Sequence, residues 1–340
     1  MKTASFVCVG VVLLSLPVSA QTHSGSPQFA TPYSPTGGGY AGMLLAQGGA
    51  QIDTIVDQAN RSGECKQVQQ KGGTDEVPVD FLKGMGYSLV RTLCGREASG
   101  SFGGSSTASE TVKGLMIAPA GTYSKKDVLA SGHYRSGIDM RAGPRNASHT
   151  YAIIAALVMQ ESDANIVEGE DSSKGSQLKT SVAEETGAFQ VSADSQNLLD
   201  KGAFQELLNS YVSALKAASS NMTTLEEVCR VAKFTGNGQE NGKKPVDPNE
   251  LLLRAQKAIT GVSPTETRLS DEAFQEINKT CPAFATEYAA LVARANLGHN
   301  GPLVRGEVKP SEGCIQMFSK ISELSENSSV CQSVGLSKAP

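Results

Sequence analysis

Apolar residues recur at helical spacing along much of the chain. Between residues 198 and 217 they fall three and four positions apart, which predicts an amphipathic helix. Apolar spacing and capping residues predict further helices over 80–94, from Ser270 through Ile277, from Pro282 through Ala295, and over 311–324. Strand signals are few and short, so the pattern predicts a mainly helical protein.

One predicted helix is apolar on nearly every side. Its apolar run, residues 151–159, follows Pro144 and Ser148, and we predict Ser148 as its N-cap. The run ends in Met159-Gln160-Glu161-Ser162, which places a carboxylate at the end of the helix. Apolar neighbours and the negative end of the helix dipole both disfavour a charged carboxylate, so we predict a raised pKa for Glu161. Glycosidic cleavage needs such a protonated acid, although many helices simply end in a solvated glutamate.

A polar, acidic loop and then a short alternating stretch follow this helix. Phe189 and Val191 alternate with Gln190 and Ser192, which predicts a strand with one apolar and one polar side. Gly187 just before it lets the backbone turn close to another chain or to a ligand. Gln190 is then predicted to face a cleft and to hydrogen-bond a sugar.

The first residues have the order of a cleavable export signal. Lys2 precedes an apolar run over residues 6–16, and the small residues that follow predict cleavage after Ala20. The run is about half of the roughly 20 residues that a membrane-spanning helix needs. We therefore predict a secreted or periplasmic protein without stable membrane insertion.

Six cysteines follow the signal, and an even number in an exported protein predicts disulfides. We predict sequential pairing, which also gives short loops, although the spacing of the cysteines does not fix their connectivity. Neither C-x-x-C nor H-E-x-x-H occurs and the four histidines are scattered, so no metal and no cofactor is predicted. The net charge of −4 gives no indication of nucleic acid as a partner. A serine hydrolase is disfavoured because no G-x-S-x-G occurs.

The order of the motifs resembles the signature of soluble lytic transglycosylases and goose-type lysozymes. In that superfamily a Glu-Ser pair at a helix end is followed, after a polar loop, by a Gly-x-Met/Phe-Gln stretch. The matching positions here are Glu161-Ser162 and residues 187–190, together with 168–171, 281–290, and His299 with Gly301-Pro302. The resemblance covers roughly residues 130–330 and leaves out the N-terminal third.

The resemblance implies a lysozyme-like α+β fold, a mainly α helical bundle with a small β-hairpin lining a cleft. Residues 131–331 would form this domain, after the signal peptide (1–20), a flexible arm rich in Gly, Pro and Ser (21–50) and a less regular N-terminal region of unknown role (51–130). The implied substrate is peptidoglycan, at the β-1,4 link between N-acetylmuramic acid and N-acetylglucosamine. Glu161 would be the general acid/base, and the implied substrate contacts are Ser162, Gln190, Ser192 and Tyr288.

A second carboxylate would decide the outcome of cleavage. An inverting hydrolase needs a base that activates water, and Asp171 and Glu185 are the candidates. With Glu161 alone, the muramyl 6-hydroxyl would attack and give a 1,6-anhydro product. The goose-type enzymes carry an aspartate where this chain has Ser192, with Asp194 two residues on.

Two other functions stay open. The chain lacks the Y-N-A-G motif of many transglycosylases and has no Trp to stack on sugars. A glycosidase of the same superfamily that acts on chitin or chitosan would share Glu161 and its helix. A glycan-binding surface protein that keeps the fold without catalysis is the other alternative.

Overall fold

The computed structural model describes residues 38–65, 67–70, 73–94, 108–134, 141–167, 185–197, 203–218, 221–234, 239–240, 244–245, 247–263, 268–299, 301–327 and 329–331. Helices dominate these ranges, as the apolar spacing predicted. They are α1 (Gly38–Arg61), α2 (Val79–Cys94), α3 (Ala108–Ile117), α4 (Pro144–Ser162), α5 (Ala203–Ala218), α6 (Met222–Cys229), α7 (Pro248–Ala258), α8 (Asp271–Thr280), α9 (Pro282–Ala295), α10 (Gly301–Arg305) and α11 (Glu312–Glu323). The predicted signal peptide lies outside the described residues, and so does Asp171.

The strands are short and all of their pairings are antiparallel within the described ranges. They are β1 (Gln67–Gln70), β2 (Gly73–Glu76), β3 (Glu185–Thr186), β4 (Val191–Ser192), β5 (Gln239–Glu240), β6 (Lys244–Pro245) and β7 (Val308–Lys309). β3 pairs with β4 and β5 with β6, whereas β1 lies between β2 and β7. The β1–β7 pairing therefore joins an early segment of the chain to a late one.

Helix α4 lies at the centre of the core. Every residue from Asn146 to Met159 is buried, which is why the helix is apolar on nearly every side. The helix begins at Pro144, with Gly143 as its N-cap, because proline has the backbone angle and the missing N–H that suit the first position. The predicted cap at Ser148 is wrong, since Ser148 lies inside the helix and its hydroxyl donates to the carbonyl of Pro144.

The segments before and after residue 131 share one core. Gly38–Pro340 forms a single compact unit, and every residue of α2 from Gly84 to Cys94 is buried against helices that include α4, α9 and α11. α1 begins inside the segment for which we predicted a flexible arm. Beyond the arm, in the same helix, Ile52 and Val56 lie four positions apart and are fully buried, which anchors α1 to the core.

Three of the later helices begin where the sequence predicted. The Ser270 hydroxyl accepts a hydrogen bond from the Ala273 N–H at 3.2 Å, and α8 starts at the next residue, Asp271. α9 starts at Pro282, and Ser311 caps α11. None of the helices in the described ranges is long and apolar enough to cross a bilayer.

The six cysteines form three disulfides: Cys65–Cys314, Cys94–Cys331 and Cys229–Cys281. Sequential pairing is correct for Cys229–Cys281 and wrong for the other four cysteines. α1 and α2 pack against α11, so the early and late segments meet and the long-range pairs form. Loop length alone could not predict this, because it depends on which helices are neighbours.

A buried ion pair links α2 to α9. The Arg91 Nε donates to the Glu287 carboxylate at 2.7 Å and its Nη1 to the Val228 carbonyl, while the guanidinium lies over the Tyr211 ring. Burial raises the pKa of Glu287 to about 7, against the opposing effect of Arg91. A carboxyl whose pKa is raised by folding stabilises the fold in its protonated form.

We expect the contribution of Glu287 to the free energy of unfolding to fall by on the order of 3 kcal/mol as pH rises from about 4.5 to about 7. The stabilisation is complete below the unfolded pKa of Glu287 and is lost as pH rises through its folded value, about 7. Urea denaturation of wild type and Glu287→Gln across this interval measures the contribution as the difference between their slopes. Parallel pH profiles for the two proteins would contradict it.

Candidate functional site

Helix α4 ends directly after the candidate acid. Glu161 is half-buried, and the helix closes at Ser162 when Asp163 and Ala164 turn left-handed, at φ 50° and 61°. Their N–H groups donate to the carbonyls of Met159 and Val158, which satisfies the end of the helix. Neither residue is glycine, so this conformation costs about 1–2 kcal/mol per residue.

Ser162 ties this helix end to the β3–β4 hairpin. Its hydroxyl donates to the Ala188 carbonyl at 2.7 Å. The hairpin turn is thereby held beside the residue that follows Glu161. Ser162, predicted as a substrate contact, thus has a positioning role in this geometry.

The hairpin is shorter than the predicted strand. Its strands are two residues each, with Glu185 opposite Ser192 and Thr186 opposite Val191, and residues 187–190 form the turn. Gly187 adopts φ 73°, and a Cβ there would lie 2.7 Å from the Asn278 carbonyl oxygen. Glycine is therefore required at the position where the motif has it.

Gln190 is buried within the turn instead of facing open solvent. Its exposed fraction is 7%, its φ is 46°, and its Nε2 donates to the Gly187 carbonyl at 2.9 Å. The side chain lines a narrow cavity together with Ser192, Val292 and Leu303. The free volume of this cavity, about 10 Å³, is room for roughly one water molecule. The predicted sugar contact is not available to Gln190 in this conformation.

The outward face of the hairpin carries two carboxylates around Ser192. Glu185 and Ser192 are cross-strand partners, so their side chains share a face, and both are half-buried. The Ser192 hydroxyl donates to the Asp194 carboxylate. Predicted Glu185 and Ser192 are thus brought together, and Asp194 joins them.

Tyr288 lies in the core behind the hairpin. It is fully buried, its hydroxyl shares a hydrogen bond of 2.5 Å with Ser195, and its ring packs edge-on against Phe204 and Phe274. Burial raises its pKa. Tyr288 does not fit the predicted substrate contact, because α9 is buried along almost its whole length; it supports the turn that carries Ser195.

Helix α10 is a neighbour of the helix that carries Glu161. It packs on α4, and its Leu303 lines the same cavity as Gln190. The Arg305 guanidinium hydrogen-bonds the Glu307 carboxylate at 2.7 Å. This bond, together with the charges of Glu307 and Glu161, raises the pKa of Arg305.

Left-handed backbone is concentrated around Glu161. In the described part of the chain, four non-glycine residues have positive φ, and Asp163, Ala164 and Gln190 are three of them. Such conformations persist where surrounding contacts enforce them, and they cluster at functional sites. Among the same described residues, no group of three His, Cys, Asp or Glu side chains is placed to hold a metal ion.

Comparisons with known proteins gave no relative. No family model matches the chain, and no curated protein or solved structure was found to be similar to it. The likeness to lytic transglycosylases therefore rests on the sequence motifs alone.

Proposed function

We propose that the protein is an exported glycan-cleaving enzyme of lysozyme-like fold. Its substrate would be peptidoglycan, cleaved at the β-1,4 link between N-acetylmuramic acid and N-acetylglucosamine, with Glu161 as the general acid/base. The three disulfides support export, because such bonds persist mainly in oxidising compartments.

One observation carries the proposal: the Ser162–Ala188 hydrogen bond. It joins the two motifs that the sequence placed 26 residues apart, the Glu-Ser helix end and the Gly-x-Phe-Gln turn. The left-handed residues on both sides of this bond supply the second support, since their conformational cost implies a constraint beyond packing.

Glu161 would protonate the oxygen of the leaving sugar as the glycosidic bond breaks. Water, with its proton taken by a carboxylate, would then attack the anomeric carbon and give a reducing end. Glu185 and Asp194 on the hairpin face are the described candidates for that base. In the transglycosylase route the muramyl 6-hydroxyl attacks the same carbon, gives up its proton to Glu161, and leaves a 1,6-anhydro end.

The test is release of soluble muropeptides from purified peptidoglycan. Glu161→Gln keeps the size of the side chain but cannot donate the proton, so we expect a loss of at least about 10²-fold in rate. Glu323→Gln is the matched control: Glu323 lies beside Pro144, at the opposite end of α4, and the variant should stay fully active. A Glu161→Gln protein with the wild-type rate would sink the assignment, and mass spectrometry of the product ends separates the two routes.

A non-catalytic glycan-binding protein is the second candidate. The sequence favours it in two respects, since it lacks both the Y-N-A-G motif and any Trp to stack on sugars. Wild-type protein that sediments with peptidoglycan but releases no soluble fragment would support this function over cleavage.

A further inference from the structure

Two buried polar residues lie where the hairpin turn packs on α8. A Cβ on Gly187 would lie 2.7 Å from the Asn278 carbonyl oxygen and 3.4 Å from the Asn278 Cβ, so the turn rests directly on this residue. Thr186 comes just before Gly187, and β3, which it ends, contacts α8. Thr186 is 2% exposed and Asn278 is 1% exposed, so both side chains are closed to bulk solvent.

Three oxygens at this contact need hydrogen-bond partners. The Asn278 Nδ2 donates to the Phe274 carbonyl at 2.9 Å, while its Oδ1 has no partner among the described residues. The Asn278 carbonyl is in the last turn of α8, and its usual helical donor is missing because Pro282, four residues on, has no N–H. The Thr186 hydroxyl also has no partner in the described part of the chain. Of the three oxygens, only this hydroxyl carries a hydrogen.

We infer that Thr186 and Asn278 are positioning residues of the proposed site, and that they share one buried water that fixes the hairpin on α8. The water would accept the Thr186 hydrogen and donate to the carbonyl and the Oδ1 of Asn278. Buried waters typically make about three hydrogen bonds, which matches these partners. Unpaired buried polar atoms destabilise a fold, and this water would satisfy each of them.

The turn would then be held at two points. The first is the Ser162–Ala188 hydrogen bond, which ties the turn to the end of α4. The second would be the water between Thr186 and α8. Glu185, the neighbour of Thr186 in β3, is half-buried on the outward face and is a candidate base. The inference rests on the proposed function, because loss of the second point would let the hairpin pivot and change the distance between Glu161 and the base.

The first measurement is kinetic. Thr186→Val keeps the shape of the side chain and removes its hydroxyl, whereas Thr186→Ser keeps the hydroxyl. We expect Thr186→Val to lower kcat for cleavage of soluble peptidoglycan strands about 10-fold with KM within about 2-fold, because a displaced base slows the chemical step more than it weakens binding. Thr186→Ser should keep kcat within about 2-fold of wild type. Asn278→Leu should lower kcat similarly, and the double variant Thr186→Val with Asn278→Leu should lower it little further, because both changes remove the same water.

Hydrogen exchange measures the same joint without catalysis. The Gln190 N–H donates to the Gly187 carbonyl within the turn at 3.1 Å. In Thr186→Val this amide should exchange about 10-fold faster than in wild type, because the turn opens more easily without its hydrogen bonds to α8. Thr286→Val is the matched control. Thr286 is buried and its hydroxyl donates to the Pro282 carbonyl at 2.8 Å, so its loss should change neither kcat nor the exchange of Gln190.

Each outcome decides for or against the shared water. Unchanged exchange in Thr186→Val, or equal losses of kcat in Thr186→Ser and Thr186→Val, would overturn the role of the hydroxyl. Faster exchange with an unchanged kcat would overturn the positioning role and leave cleavage by Glu161 intact. Losses of kcat that multiply in the double variant would reject a water shared with Asn278. A wild-type protein that releases nothing would reject the proposed enzyme, and exchange at Gln190 would still decide whether the joint exists.

Discussion

Arg294→Met is expected to lower the free energy of unfolding by about 3–5 kcal/mol, because it leaves the Asp127 carboxylate buried without its cation. Both side chains are only 1% exposed. The Arg294 Nε and Nη2 donate to the two oxygens of Asp127, at 3.0 and 3.1 Å. The remaining donors bind the carbonyls of Met116 and Ala118, which fastens the end of α3 to α9.

Asp127 also organises the segment between α3 and α4. Its carboxylate accepts hydrogen bonds from the N–H groups of Gly121 and Leu129, both at 2.9 Å. The double variant Arg294→Met with Asp127→Leu removes both charges together. Its loss of free energy of unfolding should be smaller than the sum of the two single losses, since an apolar pair has no uncompensated charge. Chemical denaturation of the two single variants and the double variant measures this recovery. A double variant as destabilised as the sum of the singles would contradict it.

Removing both Cys65–Cys314 and Cys94–Cys331 is expected to cost more than the sum of removing each alone. Either bond by itself still joins the early and late segments in the unfolded chain. Removing only one bond therefore opens only a short loop, because the other bond remains. Losing the second bond releases a loop with a sequence separation of 249 or 237 residues. Chain entropy assigns about 5.5 kcal/mol to closing a loop of that length.

The measurement is a double-mutant cycle with paired Cys→Ala substitutions, read by urea denaturation. Cys229→Ala with Cys281→Ala is the internal comparison. That bond closes a separate loop, with a sequence separation of 52, and its cost should add independently to either of the others. Additive losses for the Cys65–Cys314 and Cys94–Cys331 bonds would contradict the prediction, and would mean that the unfolded chain keeps its early and late segments close together without them.

Local signals predicted the helices well. Ser270 and Pro282 mark the starts of α8 and α9, because a cap depends only on the few residues around it. The Glu161 helix end was predictable for the same reason. Its apolar run pointed to a buried helix, and α4 is buried from Asn146 to Met159.

Contacts between residues that are far apart in the sequence could not be predicted. The sequence placed Tyr288 in a motif, but only the packing of α9 shows that its ring lies among Phe204 and Phe274. The contact of α10 with α4 was out of reach in the same way, because no spacing along the chain encodes it. Gln190 was expected to face a cleft because an ideal strand alternates its faces. In the structure Gln190 has a left-handed backbone, and its side chain hydrogen-bonds the Gly187 carbonyl within the turn.

The pairing of early with late cysteines determines what a single proteolytic cut does to the protein. Cys65 and Cys94 are bonded to Cys314 and Cys331, so the intervening chain is a covalently closed ring. A single cut anywhere between residues 94 and 314 leaves the two pieces joined. A nicked molecule would keep its mass on a non-reducing gel and separate into fragments only after reduction.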